Sequence, residues 1–376
     1  MSTTFSNTLL LGALSLGLAA CGTTPTAVTL GPTAPAVLST LSAGSGTYVM
    51  AEATGRIGAW ASGSIGAWAS NSQTSTVSDG QLNTFQANLP MWSQVHLSGA
   101  QSAAPTLGTG VTVAVIDTGI DLSHPAFSGH LAPARNMRDL VGNDAVPQEE
   151  GSSSDMAYGH GTAVASLILQ VAPNATILPI RVLSPDGSGQ ASTVASGIDW
   201  AVAHGAKIIN LSVVSSVDST LRTSIENATN KGVYVVMAAG NNSASPVMYP
   251  SRFANIEGSI GAHSLSVGSI ETSDAQSDFS NYGQQLKVLA PGRLMTVAYP
   301  GSLTAQATGT SFATPVVSGV LALGASKGIN SSSTLTDTLK AAVTNVTGFN
   351  TQYLETGSTA LRYGLLNAQA FVNNVK

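Results

Sequence analysis

The chain has 376 residues, 43% of them hydrophobic, enough to bury a large core, and a globular protein is expected. Only 9% of the residues are charged and the net charge is -5, with no cluster of Lys or Arg, which excludes a protein that tracks nucleic-acid phosphates. Ser, Thr, Gly, Asn and Gln are left to cover much of the surface, a composition suited to export, and the single cysteine, Cys21, rules out an intramolecular disulfide or a thiolate metal cluster.

Residues 1–20 read as a signal peptide. Leu9 to Ala20, LLLGALSLGLAA, is too short to span a bilayer but has the make-up of a signal-peptide core. It ends in Leu18-Ala19-Ala20-Cys21, which resembles the lipobox of bacterial lipoproteins, whose cysteine carries the lipid. An ordinary secretory signal with an incidental Cys21 is the other reading, and the absence of Lys or Arg before Arg56 departs from the usual basic start. Both imply export to the cell envelope or beyond.

Residues 21–85 are rich in Thr, Ser, Ala and Gly with no sustained period, and read as a linker or pro-region. They contain a duplication, Ile57-Gly58-Ala59-Trp60-Ala61-Ser62 and Ile65-Gly66-Ala67-Trp68-Ala69-Ser70. Two copies are too few for a solenoid, which needs about three. A tether whose tryptophans lie on the next domain or on a surface is one reading, and no function is assigned.

Residues 86–376 read as one domain. Apolar β-rich runs at Val111–Ile116, Ile177–Leu183, Lys207–Val213, Val233–Ala239, Leu265–Ile270 and Leu286–Leu289 predict strands. Helical spacing occupies Gly161–Gln170, Ser192–His204, Ser219–Lys231, Ser311–Ser326 and Ser332–Val343. Continuous apolar strands alternating with helices predict an α/β fold, a mostly parallel sheet with helices on both faces. In such sheets chemistry is sought beyond the carboxyl ends of the strands.

Four residues fall there. Asp117 ends the first strand, where a carboxylate can hold an imidazole N–H or merely cap a turn. His160 stands between Gly159 and Gly161 before an apolar run. The glycines are expected to leave its ring accessible, and the helix N-terminus to disfavour imidazolium at rest. His96, His124, His130, His204 and His263 lack this setting and read as structural or solvated. Asn241 follows Gly240 past a strand end, as a turn residue or as an N–H donor to a developing oxyanion. Ser311, in GTSFATPVVSG, is a helix N-cap or a nucleophile, and Pro315 fits a helix start where no N–H is needed.

The blocks VAVIDTGIDLSHPAF, GHGTAVAS, GSGQASTVASGIDWAV, INLS, AAGN, FSNYG, LAPG and GTSFATPVVSGVLAL, in this order, resemble the subtilisin-like serine proteases from about Gln86 onward. The resemblance implies a serine endopeptidase with a subtilisin-like three-layer fold: Asp117 orienting and stabilising His160, His160 moving the proton, Ser311 attacking the scissile carbonyl, and Asn241 with the Ser311 N–H holding the oxyanion. It further implies protein or peptide substrates lying as an added strand between residues 187–190, with Ser188 and Gly189, and 211–214, Leu211, Ser212, Val213 and Val214, with Ala239 and Gly240 nearby. Val213-Val214 stands where the family commonly has Leu or Met followed by glycine, and is expected to narrow the primary specificity pocket toward small or medium apolar residues. The loop with Asp139, Asp144, Glu149, Glu150 and Asp155 reads as a structural calcium site or as a solvated acidic surface. No cofactor is expected in catalysis, and a monomer is expected. A pro-domain is usual in the family, and Gly22–Asn83 does not look like one. A catalytically inactive surface binding protein on the same fold is the alternative, disfavoured because all four positions are intact. An esterase would carry a Gly-x-Ser-x-Gly elbow with the order Ser-Asp-His, and neither is present.

Overall fold

A computed structural model of the chain describes residues 56–58, 86–215, 219–328 and 334–375. The signal-peptide segment, Cys21 and the second Ile-Gly-Ala-Trp-Ala-Ser copy lie outside these residues.

In chain order the described elements begin with β1 (Arg56–Gly58), α1 (Leu89–Gln94), α2 (Leu97–Ala103), β2 (Thr112–Asp117), β3 (Arg138–Asp139), α3 (His160–Val171) and β4 (Thr176–Arg181). They continue with β5 (Ser188–Gln190), α4 (Ala191–Ala203), β6 (Ile208–Leu211), β7 (Val214–Ser215), α5 (Ser219–Asn230), β8 (Tyr234–Ala238), α6 (Ser259–His263) and β9 (Ser264–Ile270). The remainder are β10 (Val288–Pro291), β11 (Met295–Tyr299), β12 (Leu303–Ala307), α7 (Thr310–Ala325), α8 (Thr334–Ala341), β13 (Gly364–Leu365) and α9 (Ala368–Asn374).

Period-two alternation inside fully apolar strands creates the layers. In β2, Val113 and Val115 enter one hydrophobic cluster while Ala114 and Ile116 enter the other. β8 divides in the same way, Tyr234 and Val236 to the first cluster and Val235 and Met237 to the second. The first cluster is completed by α2, α3, α7, α8 and α9, and the second by α4, α5 and α6. The sheet between them has eight strands in the order β13-β10-β9-β8-β6-β2-β4-β3, and every described pair is parallel. This is the expected three-layer α/β architecture. Among the described residues no helix is long and apolar enough to cross a membrane.

Each of the six expected strand runs holds a strand, and the five expected helices are present with ends shifted by a few residues. A second sheet was not foreseen: β1 lies between β5 and β7, antiparallel to both.

α3 and α7 are buried along nearly their whole length, consistent with apolar residues on every side of both. Their close packing depends on Gly319, where a Cβ would lie 2.6 Å from the Val171 Cβ and 3.1 Å from the Ile168 carbonyl oxygen. Gly319 sits about two turns into α7, and Val171 about three turns into α3, so both helices start at one end of the sheet. Gly319→Ala is expected to cost about 1–3 kcal/mol by overpacking. It would lower the melting temperature by several degrees; an unchanged melt would show that the helices can separate freely.

Candidate active site

At the carboxyl end of β2, Asp117 Oδ1 accepts hydrogen bonds from the Thr118 N–H at 2.8 Å and from His160 Nδ1 at 2.7 Å. Both side chains are about 1% exposed. The pairing comes from backbone contact between two glycines. A Cβ on Gly161 would lie 2.1 Å from the Gly119 carbonyl oxygen, so only glycine lets the first turn of α3 rest on the turn after β2. The Gly161 N–H donates to Thr118 Oγ1 at 3.0 Å, and Gly159, at φ 85°, turns the chain into the helix in the left-handed region that favours glycine. With Nδ1 donating to Asp117, Nε2 is the basic nitrogen, and it is buried with no hydrogen-bond partner among the described residues.

Two expectations change here. The His160 ring is buried rather than accessible. Its pKa is raised, not held down: burial pushes it down, but the charge and hydrogen bond of Asp117, with the charge of Glu149, outweigh burial. The remaining histidines have other partners where contacts are seen. His124 accepts from the Ala126 N–H, and His204 stacks on Trp200.

Ser311 is the second residue of α7, and the position before the helix is Gly309, so Ser311 is not the N-cap. Its N–H is one of the four at the helix start that lack an intrahelical acceptor. Phe312, the next residue, lies against His160 with ring centroids 5.4 Å apart, which brings the two helix starts together. Pro315 also departs from expectation. It is inside α7, at its sixth residue, where an N–H would have bonded to the Ser311 carbonyl. That carbonyl instead accepts from Ser212 Oγ at 2.7 Å, and Ser311 Oγ donates to the Ser212 carbonyl at 3.3 Å. Asn210 Nδ2 donates to Ser212 Oγ at 3.0 Å, and Ser318 Oγ donates to Asn210 Oδ1 at 2.9 Å. A buried polar chain thus ties the end of β6 to the Ser311 backbone.

Asn241 Oδ1 accepts from the Thr310 N–H at 2.8 Å and from Thr310 Oγ1 at 2.9 Å. A backbone donor on Oδ1 fixes which end of the amide is oxygen, leaving Nδ2 as the donating end beside the start of α7. Its loop is held by Asn281, whose Oδ1 accepts from the N–H groups of Asn242 at 2.9 Å and Ala244 at 3.0 Å. Sequence reasoning missed Asn281 and Thr310; the FSNYG and GTS blocks contain them, but nothing in their spacing shows which loop they brace.

The two expected substrate-binding segments include β5 and part of β7, and β1 pairs with both of these strands. Ile57 is opposite Gly189 and Ser215, and Gly58 is opposite Ser188 and Val214. Leu211 and Val213 are buried in the hydrophobic cluster shared with α4 and α5, and Ala239 in the other, so these side chains are core. Val214 belongs to β7 and is opposite Gly58. Gly240, at φ 102°, makes the turn before Asn241.

The acids of the 139–155 loop have partners within the protein. Arg181 takes Asp139 Oδ2 and Glu150 Oε2, each at 2.8 Å. Asp144 accepts from the Val146 N–H and Asp155 from the Ser152 N–H. Among the described residues no three His, Cys, Asp or Glu side chains gather as a metal site. Glu149 is different again: it lies beneath the start of α3, its Oε2 accepting from Thr162 Oγ1 at 3.0 Å. Burial, reinforced by the Asp117 charge, raises its pKa from 4.5 to about 7 despite that hydrogen bond.

A folded-state pKa above the unfolded value means that the fold holds a proton the unfolded chain has released. Glu149 therefore contributes stability that is complete below about pH 4.5 and lost as pH rises toward about 7. Glu149→Gln is expected to flatten the fall in melting temperature across that window, in melts recorded at stepped pH. An unaltered slope would contradict the burial of this carboxyl.

A model of the Subtilase family matches residues 108–364. The chain is 39% identical over 241 residues to "Alkaline protease" of Alkalihalobacillus alcalophilus, a match covering 61% of this chain and 58% of that protein. It is equally identical over 241 residues to "Subtilisin BL" of Lederbergia lenta, covering 61% of this chain and 81% of the relative. Among solved structures, that of a cold-adapted subtilisin-like serine proteinase superposes with a TM-score of 0.57 at 32% identity, over 68% of this chain and 88% of the other. These matches span a little over half of the first relative's length and most of the second's, and the residues matched by the family model include Asp117, His160, Asn241 and Ser311: the chain belongs to the subtilase family.

Proposed function

We propose that the chain is an exported serine endopeptidase that hydrolyses peptide bonds in proteins through an acyl-enzyme. The observation that carries this reading is the buried Asp117–His160 hydrogen bond of 2.7 Å, with the opposite imidazole nitrogen lacking a partner among the described residues, on a helix packed against α7, whose second residue is Ser311. Ser311 Oγ attacks the scissile carbonyl while His160 Nε2 takes its proton. Asp117 holds the ring in the right tautomer and stabilises the cation formed. The oxyanion is met by Asn241 Nδ2 and the Ser311 N–H, with the positive end of α7 behind them; one such donor is worth about 100-fold to 1,000-fold in turnover. His160 then protonates the leaving amine, and water repeats the sequence on the acyl-enzyme.

The substrate lies extended between β5 and β7, the position in which β1 is paired. Catalysis needs no metal or cofactor in this scheme. The signal segment Leu9–Ala20 supports export, and Cys21 supports a lipid anchor at the cell envelope. The chain is expected to act as a monomer on proteins and peptides. The inactive-binding-protein reading is not favoured, because acid, base, nucleophile and oxyanion donor are all present.

Purified protein is expected to degrade casein and to be labelled by a fluorophosphonate, and Ser311→Ala to lose both, with at least a ~10,000-fold fall in turnover. Identical behaviour of the two proteins would refute the mechanism.

A further inference from the structure

Asn241 lies on the loop after β8, and a loop aims a side chain only as well as its peptide groups are held. Those on either side of Asn241 are both bonded to one residue, Asn281. On the amino side, the Gly240 carbonyl accepts from the Asn281 N–H at 2.9 Å. On the carboxyl side, the Asn242 N–H donates to Asn281 Oδ1 at 2.9 Å. Each peptide group is planar, so fixing the two that flank Asn241 fixes its two backbone dihedrals and the direction of its Cα–Cβ bond. The Thr310 N–H and hydroxyl then set the amide, since both donate to Asn241 Oδ1.

The Asn281 side chain reaches further along the loop in both directions. Its Oδ1 also accepts from the Ala244 N–H at 3.0 Å, and its Nδ2 donates to the Ala239 carbonyl at 3.2 Å. The residue is fully buried, and its short stem carries a donor and an acceptor at once, which these three bonds require. Gly240 is matched to it: a Cβ there would lie 2.5 Å from Asn281 Nδ2, so the approach requires glycine as much as the φ of 102° does. The backbone around Asn281 follows the same loop, with the Ser243 N–H donating to the Phe279 carbonyl at 2.8 Å and the Tyr282 N–H to the Ala244 carbonyl at 3.0 Å.

We propose that Asn281 is a positioning residue for peptide-bond hydrolysis: by holding the peptide groups on both sides of Asn241, it sets the direction in which Asn241 Nδ2 meets the oxyanion, without touching substrate itself. The inference rests on the serine endopeptidase reading and deepens it. Before attack the scissile carbonyl oxygen carries little charge and gains little from an aligned donor. After Ser311 Oγ has added to the carbonyl carbon, the negative charge rests on that oxygen, and a donor displaced by about 1 Å costs on the order of 100-fold in rate. Loosening the loop therefore acts on kcat and spares KM.

The test is a double-mutant cycle on a peptide amide substrate, with a thermal melt of each protein. Asn281→Ala deprives the Asn242 and Ala244 N–H groups of their acceptor, and is expected to lower kcat at least about 10-fold with KM changed by less than about twofold. Asn241→Ala is expected to lower kcat by about 100-fold to 1,000-fold, and Asn281→Ala added to it to lower kcat by less than about twofold more, since the donor that Asn281 directs is gone. Asn281→Ser, whose hydroxyl can accept from one of the two N–H groups, is expected to fall between Asn281→Ala and the parent, and takes its place in the cycle if the alanine variant melts below the assay temperature. A kcat within about twofold of the parent, a loss confined to KM, or equal losses with and without Asn241 would overturn the proposal; the last is what a residue that only supports the fold would give. Equal losses alongside the expected fall in Asn241→Ala would leave the endopeptidase reading standing, whereas a Ser311→Ala protein as active as the parent would remove both.

Discussion

The site depends on the contact between Gly161 and the Gly119 carbonyl. Two backbone segments, one leaving β2 and one entering α3, meet so closely that a single methyl group on Gly161 would lie 2.1 Å from an oxygen. Without that approach Asp117 and His160 could not share a 2.7 Å hydrogen bond between groups about 1% exposed. The same closeness buries a third ionisable side chain, Glu149, beneath the helix start. Electrostatics inside this packed corner favour the charged imidazole, since the charge and hydrogen bond of Asp117, with the charge of Glu149, outweigh burial. A ring that welcomes a proton is suited to removing one from a hydroxyl.

The surroundings of Ser311 are built differently, from a missing N–H. Pro315 cannot donate to the Ser311 carbonyl, and Ser212 Oγ fills that acceptor from the end of β6. Through Asn210 and Ser318 the bond continues to the next turn of α7, so the position of Ser311 is referred to the sheet as well as to its own helix. Asn241 is pinned in a comparable way by Thr310, its neighbour across the helix start. Helix, sheet and the loop of Asn241 are therefore each tied to the start of α7 by hydrogen bonds, and a buried polar network of this kind favours a single arrangement only while every member is satisfied.

Much of this was legible in the chain. Strands such as β2 and β8 are apolar on both faces, which requires cover on both, and Asp117, His160, Asn241 and Ser311 sit at their ends or at helix starts. What was not legible depended on tertiary partners. The sequence of Pro315 suggests a helix start, and only its distance from Gly309 shows that a carbonyl is freed instead. Glu149 looks like one of five acids in a loop until Thr162 and the turn after β2 enclose it, while Asp139 and Glu150 turn to Arg181. Val213 and Val214 differ in the same way: adjacent in sequence, one joins the core and the other a strand facing Gly58.

The most direct test of the central claim is the proton resonance of His160 Nδ1–H, recorded by NMR in the Ser311→Ala protein and again with Gly161→Ala added. A strongly downfield signal is predicted for the first, together with its loss in the second while the protein still melts cooperatively. A signal unchanged by Gly161→Ala would show that the Asp117–His160 bond does not depend on the glycine contact.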